Sequence, residues 1–196
     1  MPEITYKEIL WVITLLIVIP QVYVYIKSIF KWETKPHIYT KIIWFILTWI
    51  GFIIQLKNGW WPWAWVLWIT SLVQLFTLLL AIKYWTKDIT RFDTILLVLA
   101  LICIPIYLLV EDKIYALIFV LFIDFLWYIP TIRKTYNDPF SESLSAWNIS
   151  NTKYLVSLFA LIEYSFYTMA YPVFLLIANG VLITIMLVGR RKKNVS

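Results

Sequence analysis

Charge is what this chain has least of. Only 14% of its 196 residues are Asp, Glu, Lys or Arg, where a soluble domain carries about 25%. The hydrophobic 62%, with a mean hydropathy of +0.81, exceed what a water-facing surface can absorb. An integral membrane protein is the class that remains. Glycine is nearly as scarce, at four residues, and no ten-residue segments alternate apolar with polar. The expected class is therefore helical, not a β-barrel. The single cysteine, Cys103, lies in an apolar run; it excludes an intrachain disulfide and reads as a small buried hydrophobe. The single histidine, His37, has no Cys or carboxylate at ligand spacing, so no metal site is expected. Neither a P-loop nor a nucleophile elbow is present, and the possible acids and bases are scattered, so neither enzyme activity nor a cofactor is expected.

Seven apolar runs are present, at 9–27, 38–56, 62–82, 94–110, 114–131, 152–170 and 172–189. Each is near the ~20 residues that cross a bilayer core of about 30 Å. The N-terminus, Met-Pro-Glu-Ile-Thr-Tyr-Lys-Glu, lacks a basic region and a small-x-small cleavage site, so the first run is expected to be retained. With these spans, 14 of the 17 Lys and Arg fall on one side, among them Lys35, Lys41, Arg133, Lys134, Lys153 and the tail Arg190-Arg191-Lys192-Lys193. The positive-inside rule then places the N-terminus outside and the C-terminus in the cytoplasm of a multi-pass plasma-membrane protein. A basic face near anionic lipid accounts for the net charge of +6, so no nucleic-acid partner is expected. Trp60, Trp61, Trp63, Trp65 and Trp68 crowd the start of the third run, as an aromatic belt does. Trp68 is the deepest of them and the one expected to stack on a ligand.

Proline placement reveals an internal repeat. Pro20 and Pro130 each sit near the end of an apolar run, where a helix-interior proline costs about 3 kcal/mol. Pro62 follows Pro20 by the spacing at which Pro172 follows Pro130, so the pattern repeats at an offset of 110. That offset maps runs one to three (1–90) onto runs five to seven (113–190), with run four (91–112) as linker and 191–196 as a basic tail. Three is odd, so a linker helix is needed for both triplets to point the same way. The expected architecture is all-α, with seven transmembrane helices in a 3+1+3 parallel repeat.

Ile19-Pro20-Gln21, followed by Lys27-Ser28, resembles the PQ-loop motif, as does Tyr128-Ile-Pro130-Thr-Ile-Arg-Lys134 with Thr131 in place of the glutamine. Over nearly its full length the chain resembles the PQ-loop/SWEET transporter superfamily. The resemblance implies two triple-helix bundles joined by the fourth helix, and a hinge or gate at Pro20, Gln21, Pro130 and Thr131. It also implies a solute path along the third helix of each bundle, where Gln74 and Asn179 lie.

Two carboxylates stand out. Asp124 falls about ten residues into run five, and Glu163 about eleven into run six; both lie near mid-membrane at 1.5 Å per residue. A carboxylate there costs at least ~2.5 kcal/mol, so it needs a partner or water. Proton or ion coupling, ligand contact and a structural hydrogen bond all stay open for both. The expected solute site combines Asn179, Gln74, Trp68 and Glu163, with Asp124 and Glu163 as the coupling groups. The functional expectation is a secondary transporter of a sugar, amino acid or vitamin-like solute, the alternative being a non-transporting receptor or scaffold. Partners are the solute, the bilayer and, if coupled, protons; homo-oligomers are not excluded.

Overall fold

The computed structural model describes residues 5–57, 61–84 and 89–195, and among them every regular element is an α-helix. The helices are α1 (Tyr6–Phe30), α2 (Ile38–Lys57), α3 (Trp61–Tyr84), α4 (Arg91–Leu109), α5 (Lys113–Asn137), α6 (Leu144–Phe159) and α7 (Phe166–Val195). Local chemistry sets several boundaries. Thr5 with Glu8 and Thr90 with Asp93 form capping boxes that satisfy the first amides of α1 and α4. α1 ends in a Schellman turn: Trp32 N donates to Ile29 O and Glu33 N to Ser28 O. Its left-handed position, usually glycine, is Trp32 at φ 61°, whose ring lies 4.5 Å from that of Tyr84 at the end of α3.

Burial runs opposite to that of a soluble protein. On α1 the stripe Val12, Leu16, Ile19 and Tyr23 faces outward and exposed, while polar Gln21 and Tyr25 and buried Ser28 follow a different stripe. Five helices (α1, α3, α4, α5 and α7) have described stretches long and apolar enough to cross a membrane. This is a helical multi-pass arrangement. The expected sixth run requires correction. α6 is 16 residues long, which at 1.5 Å per residue spans roughly 24 Å. It starts at the Ser143 cap rather than near residue 152 and stops at Phe159.

Packing follows a simple pattern. α3 contacts α2 and α1; α7 contacts α6 and α5; and α1 meets α6 as α2 meets α5. Exchanging α1, α2, α3 with α5, α6, α7 leaves this set of contacts unchanged. α4 is the exception, leaning on α5 and α2 through Leu96, Ala100 and Ile104 against Ile43, Ile123 and Trp127. A second cluster, Tyr128, Leu175, Leu182 and Met186, joins α5 to α7.

One end of the molecule gathers the basic residues. There α7 docks on the 138–143 loop, with Arg190 Nε donating to Pro139 O at 2.9 Å and Nη2 to Glu142 O at 2.7 Å. Gly189 permits this approach: a Cβ at that position would overlap Pro139 Cγ and stand 2.9 Å from Pro139 Cβ. Gly189→Ala is accordingly expected to destabilise the protein by about 1–3 kcal/mol. Gly180→Ala, on the same helix with no atom within 4 Å of the added methyl, is expected to be neutral or stabilising by up to about 1 kcal/mol. Thermal unfolding of the two variants in detergent checks the contrast, and equal melting temperatures would refute it.

Candidate functional site

The polar faces of the helices converge on a central cavity of about 330 Å³. α1 supplies Gln21 and Tyr25; α2 supplies Lys41, Trp44 and Thr48; α3 supplies Thr70, Gln74 and Thr77. From the other half come Asp124 and Tyr128 on α5, Trp147, Ser150, Lys153 and Tyr154 on α6, and Tyr171 and Asn179 on α7. The periodicity is helical: Gln21 and Tyr25 are four apart, as are Asp124 and Tyr128, so each pair shares a face.

Asn179 is the best-anchored of these groups. It is fully buried, accepts from the Tyr128 hydroxyl at Oδ1 (2.8 Å) and donates from Nδ2 to Ser150 Oγ (3.2 Å). One side chain thereby joins α5, α6 and α7. A carboxamide has two acceptor sites and two N–H groups, so these two bonds use half its capacity. Asp124 is buried beside the Tyr171 hydroxyl, its hydrogen-bonding neighbour. Its Oδ2, like Gln21 Oε1, meets no hydrogen-bonding group among the described residues.

Toward the basic end, charges and backbone groups tie α5 to the neighbouring loops and helices. Lys134, 1% exposed, pairs with buried Glu142 and donates to Lys35 O at 2.7 Å. Glu142 Oε2 accepts from Trp147 Nε1 at 3.1 Å, and Lys35 N donates to Ser141 O at 3.0 Å. Beside them Arg133 Nη2 reaches Asp93 Oδ2 at 2.7 Å, tying α5 to α4. His37 lies 3.7 Å from the same carboxylate, beyond hydrogen-bond reach, with both ring nitrogens buried and unpartnered among the described residues. Burial pushes its pKa down to about 4, Lys134 and Arg133 acting in the same direction and Asp93 opposing. His37 therefore adds no charge at neutral pH. At the opposite end, Lys7 Nζ bonds Leu161 O (2.6 Å) and Ile162 O (3.1 Å), again across the two halves.

Of the residues singled out in the sequence, the fold brings Asp124, Asn179, Gln74 and Gln21 together around one cavity. Glu163 is a correction. It lies in the loop between α6 and α7 and is exposed, because the helix expected to carry it ends at Phe159. Trp68 is half-buried on α3 but outside the cavity lining; Trp44 and Trp147 supply the aromatic walls. Lys153, assigned from sequence to the basic surface, instead lies well inside α6 on the cavity wall, its ammonium 4.3 Å from the Tyr154 ring centre. Pro20 and Pro130 lie inside unbroken α1 and α5, the first exposed and the second buried. Thr131 is buried against Thr40 of α2, Oγ1 to Oγ1 at 3.3 Å. Trp60 and the side chains of Trp61, Trp63 and Trp65 lie outside the described residues.

Sequence reasoning missed Lys41, Tyr128, Ser150 and the Lys134–Glu142 pair. Only Tyr128 had a local signal, its four-residue spacing from Asp124.

The site and the long apolar helices define a helical, membrane-embedded multi-pass protein with a cavity walled by α1, α2, α3, α5, α6 and α7. Compared with known proteins, the chain matches no family model, and no curated protein or solved structure is detectably similar to it.

Proposed function

We propose that this chain is a secondary membrane carrier for a small polar solute, working by alternating access in the manner of the PQ-loop/SWEET carriers that its Ile-Pro-Gln and Ile-Pro-Thr segments resemble. The observation that carries the reading is the 330 Å³ cavity, largely apolar with convergent polar groups, walled by both α1–α3 and α5–α7. A carrier must hold its solute where neither half alone completes the site, and these linings come from α1–α3 on one side and α5–α7 on the other. The exchange-invariant helix contacts favour a 3+1+3 parallel repeat with α4 as linker. The charge asymmetry favours an N-terminus outside and the basic end in the cytoplasm of the plasma membrane. In this reading the two triplets rock about Pro20 and Pro130, and the Lys134, Lys35 and Ser141 contacts form the cytoplasmic gate.

The test is counterflow of labelled glucose, alanine and thiamine into proteoliposomes containing the purified protein. Carrier-dependent uptake of at least one, raised by the same unlabelled solute inside, is expected. In Asp124→Asn, pH-dependent uptake driven by a proton gradient is expected to vanish while exchange persists, if Asp124 is the coupling group. Binding without uptake would instead establish a receptor with the same fold.

A further inference from the structure

Two of the charged side chains buried in this protein have no direct ion-pair partner among the described residues. Those at or below 6% exposure are Lys41, Asp93, Asp124, Lys134 and Glu142. Asp93 is paired with Arg133, and Glu142 with Lys134. Lys41 and Asp124 remain, neither in an ion pair among the described residues, and both line the central cavity. A buried ammonium without a directly bonded counter-ion is costly in a low-dielectric interior, and the carboxylate whose charge acts on Lys41, that of Glu142, is already bonded to Lys134. The protein lessens that cost with aromatic faces: Lys41 Nζ lies 4.3 Å from the Tyr25 ring centre and 5.0 Å from that of Trp44. Those rings attract a cation without neutralising it. Lys153 adds a second, half-buried ammonium to the wall, so the lining holds two cations against one acid.

The two unpaired groups lie at different depths. Lys41 adjoins Thr40, which touches Thr131 on α5. Asp124 precedes Thr131 by seven residues, roughly 10 Å along the helix. Elsewhere on the same lining, Asp124 Oδ2 and Gln21 Oε1 are acceptors without donors among the described residues.

Resting on the carrier reading for the site's use but not for its chemistry, we propose that the solute is a small carboxylate, its anionic group held by Lys41 and its other end donating a hydrogen bond to Asp124 or Gln21. The anion supplies the direct ion-pair partner that Lys41 lacks, and the charge-assisted bond is the strongest single contact the cavity can offer. An amino acid and a hydroxy acid both carry this chemistry; a neutral sugar or a simple amine does not.

The experiment measures binding to the full-length detergent-solubilised protein of one matched set: 3-phenylpropionate, phenyllactate, phenylalanine, phenethylamine, 3-phenylpropionamide and glucose. The carboxylates are expected to bind about tenfold or more tighter than the amine, the amide and glucose. Phenyllactate or phenylalanine is expected to exceed phenylpropionate, and which of the two leads identifies the donor. Lys41→Gln should remove the carboxylate preference and Lys41→Arg should restore it. Glucose, amide or amine binding as tightly as the acids would overturn the inference, as would no binding by any member. So would a Lys41→Gln protein that keeps the preference. The parent protein's ranking decides the matter even if a variant does not fold. Carboxylate binding that depends on Lys41 without uptake into vesicles leaves this inference standing and removes the carrier reading. Glucose counterflow without carboxylate binding does the reverse.

Discussion

Glu142→Leu is expected to cost about 3–5 kcal/mol of stability, more than its partner's replacement, Lys134→Met. Glu142 is 3% exposed and pairs with Lys134, 1% exposed; removing one member of a buried pair leaves an uncompensated charge. The two deletions differ because Lys41 is nearby, close enough for the Glu142 charge to act on it. Without Glu142, Lys134 and Lys41 remain as two buried cations with no carboxylate between them, and Trp147 Nε1 also loses its acceptor. Without Lys134, the Glu142 carboxylate can turn to Lys41. Replacing both members together is expected to recover much of the loss, since a well-packed apolar pair is often as stable as a buried ion pair. Unfolding of the three variants in one detergent reads the order directly. Equal losses in the two single variants would show that Lys41 does not share the pair. In vesicles, Glu142→Leu should also leak solute faster, because the contacts of Lys134 with Lys35 close the basic end of the cavity.

Much of this arrangement was legible from residues alone, and the failures have one physical source. Asp124, Asn179 and Gln74 stood out because an ionised or amide side chain in an apolar run must find a polar interior, Gln21 stood out through the Ile-Pro-Gln motif, and all four line the cavity. Hydropathy misled where polar residues serve that same interior. Asn148, Ser150 and Asn151 made the start of α6 look like loop, yet they belong to the helix, and Ser150 is buried against Asn179. The span was therefore placed too late, carrying Glu163 from an exposed loop into an imagined mid-membrane position. Lysines misled in the same way. Near a span end they read as headgroup anchors, but Lys41 points its ammonium over Tyr25 and Trp44. Whether a lysine snorkels outward or turns inward depends on which helix packs across from it. The α1–α6 and α2–α5 contacts that decide this are tertiary.

Asn179→Leu is expected to abolish most binding and transport while lowering stability by about 2–4 kcal/mol. Leucine keeps the branching and is somewhat larger, so no cavity is left and the loss comes from hydrogen bonds with a smaller part from crowding. Asn179 is 0% exposed and holds the Tyr128 hydroxyl at 2.8 Å and Ser150 Oγ at 3.2 Å. Each buried polar group left unpaired costs about 1–3 kcal/mol. Function should fall further than stability, because Tyr128 is both a partner of Asn179 and part of the cavity wall. Released from the carboxamide, its ring is left to apolar packing, including edge contact with Phe174 and tilted packing on Trp147. A binding surface that can swing loses the preorganisation on which affinity depends, and about 1.4 kcal/mol is already a tenfold loss. A double-mutant cycle with Tyr128→Phe separates the contributions. If the hydrogen bond is the cause, the double variant should be less destabilised than the two single losses added together. Strict additivity would mean that Asn179 acts through packing alone, and that the bridge among α5, α6 and α7 is incidental to the cavity it borders.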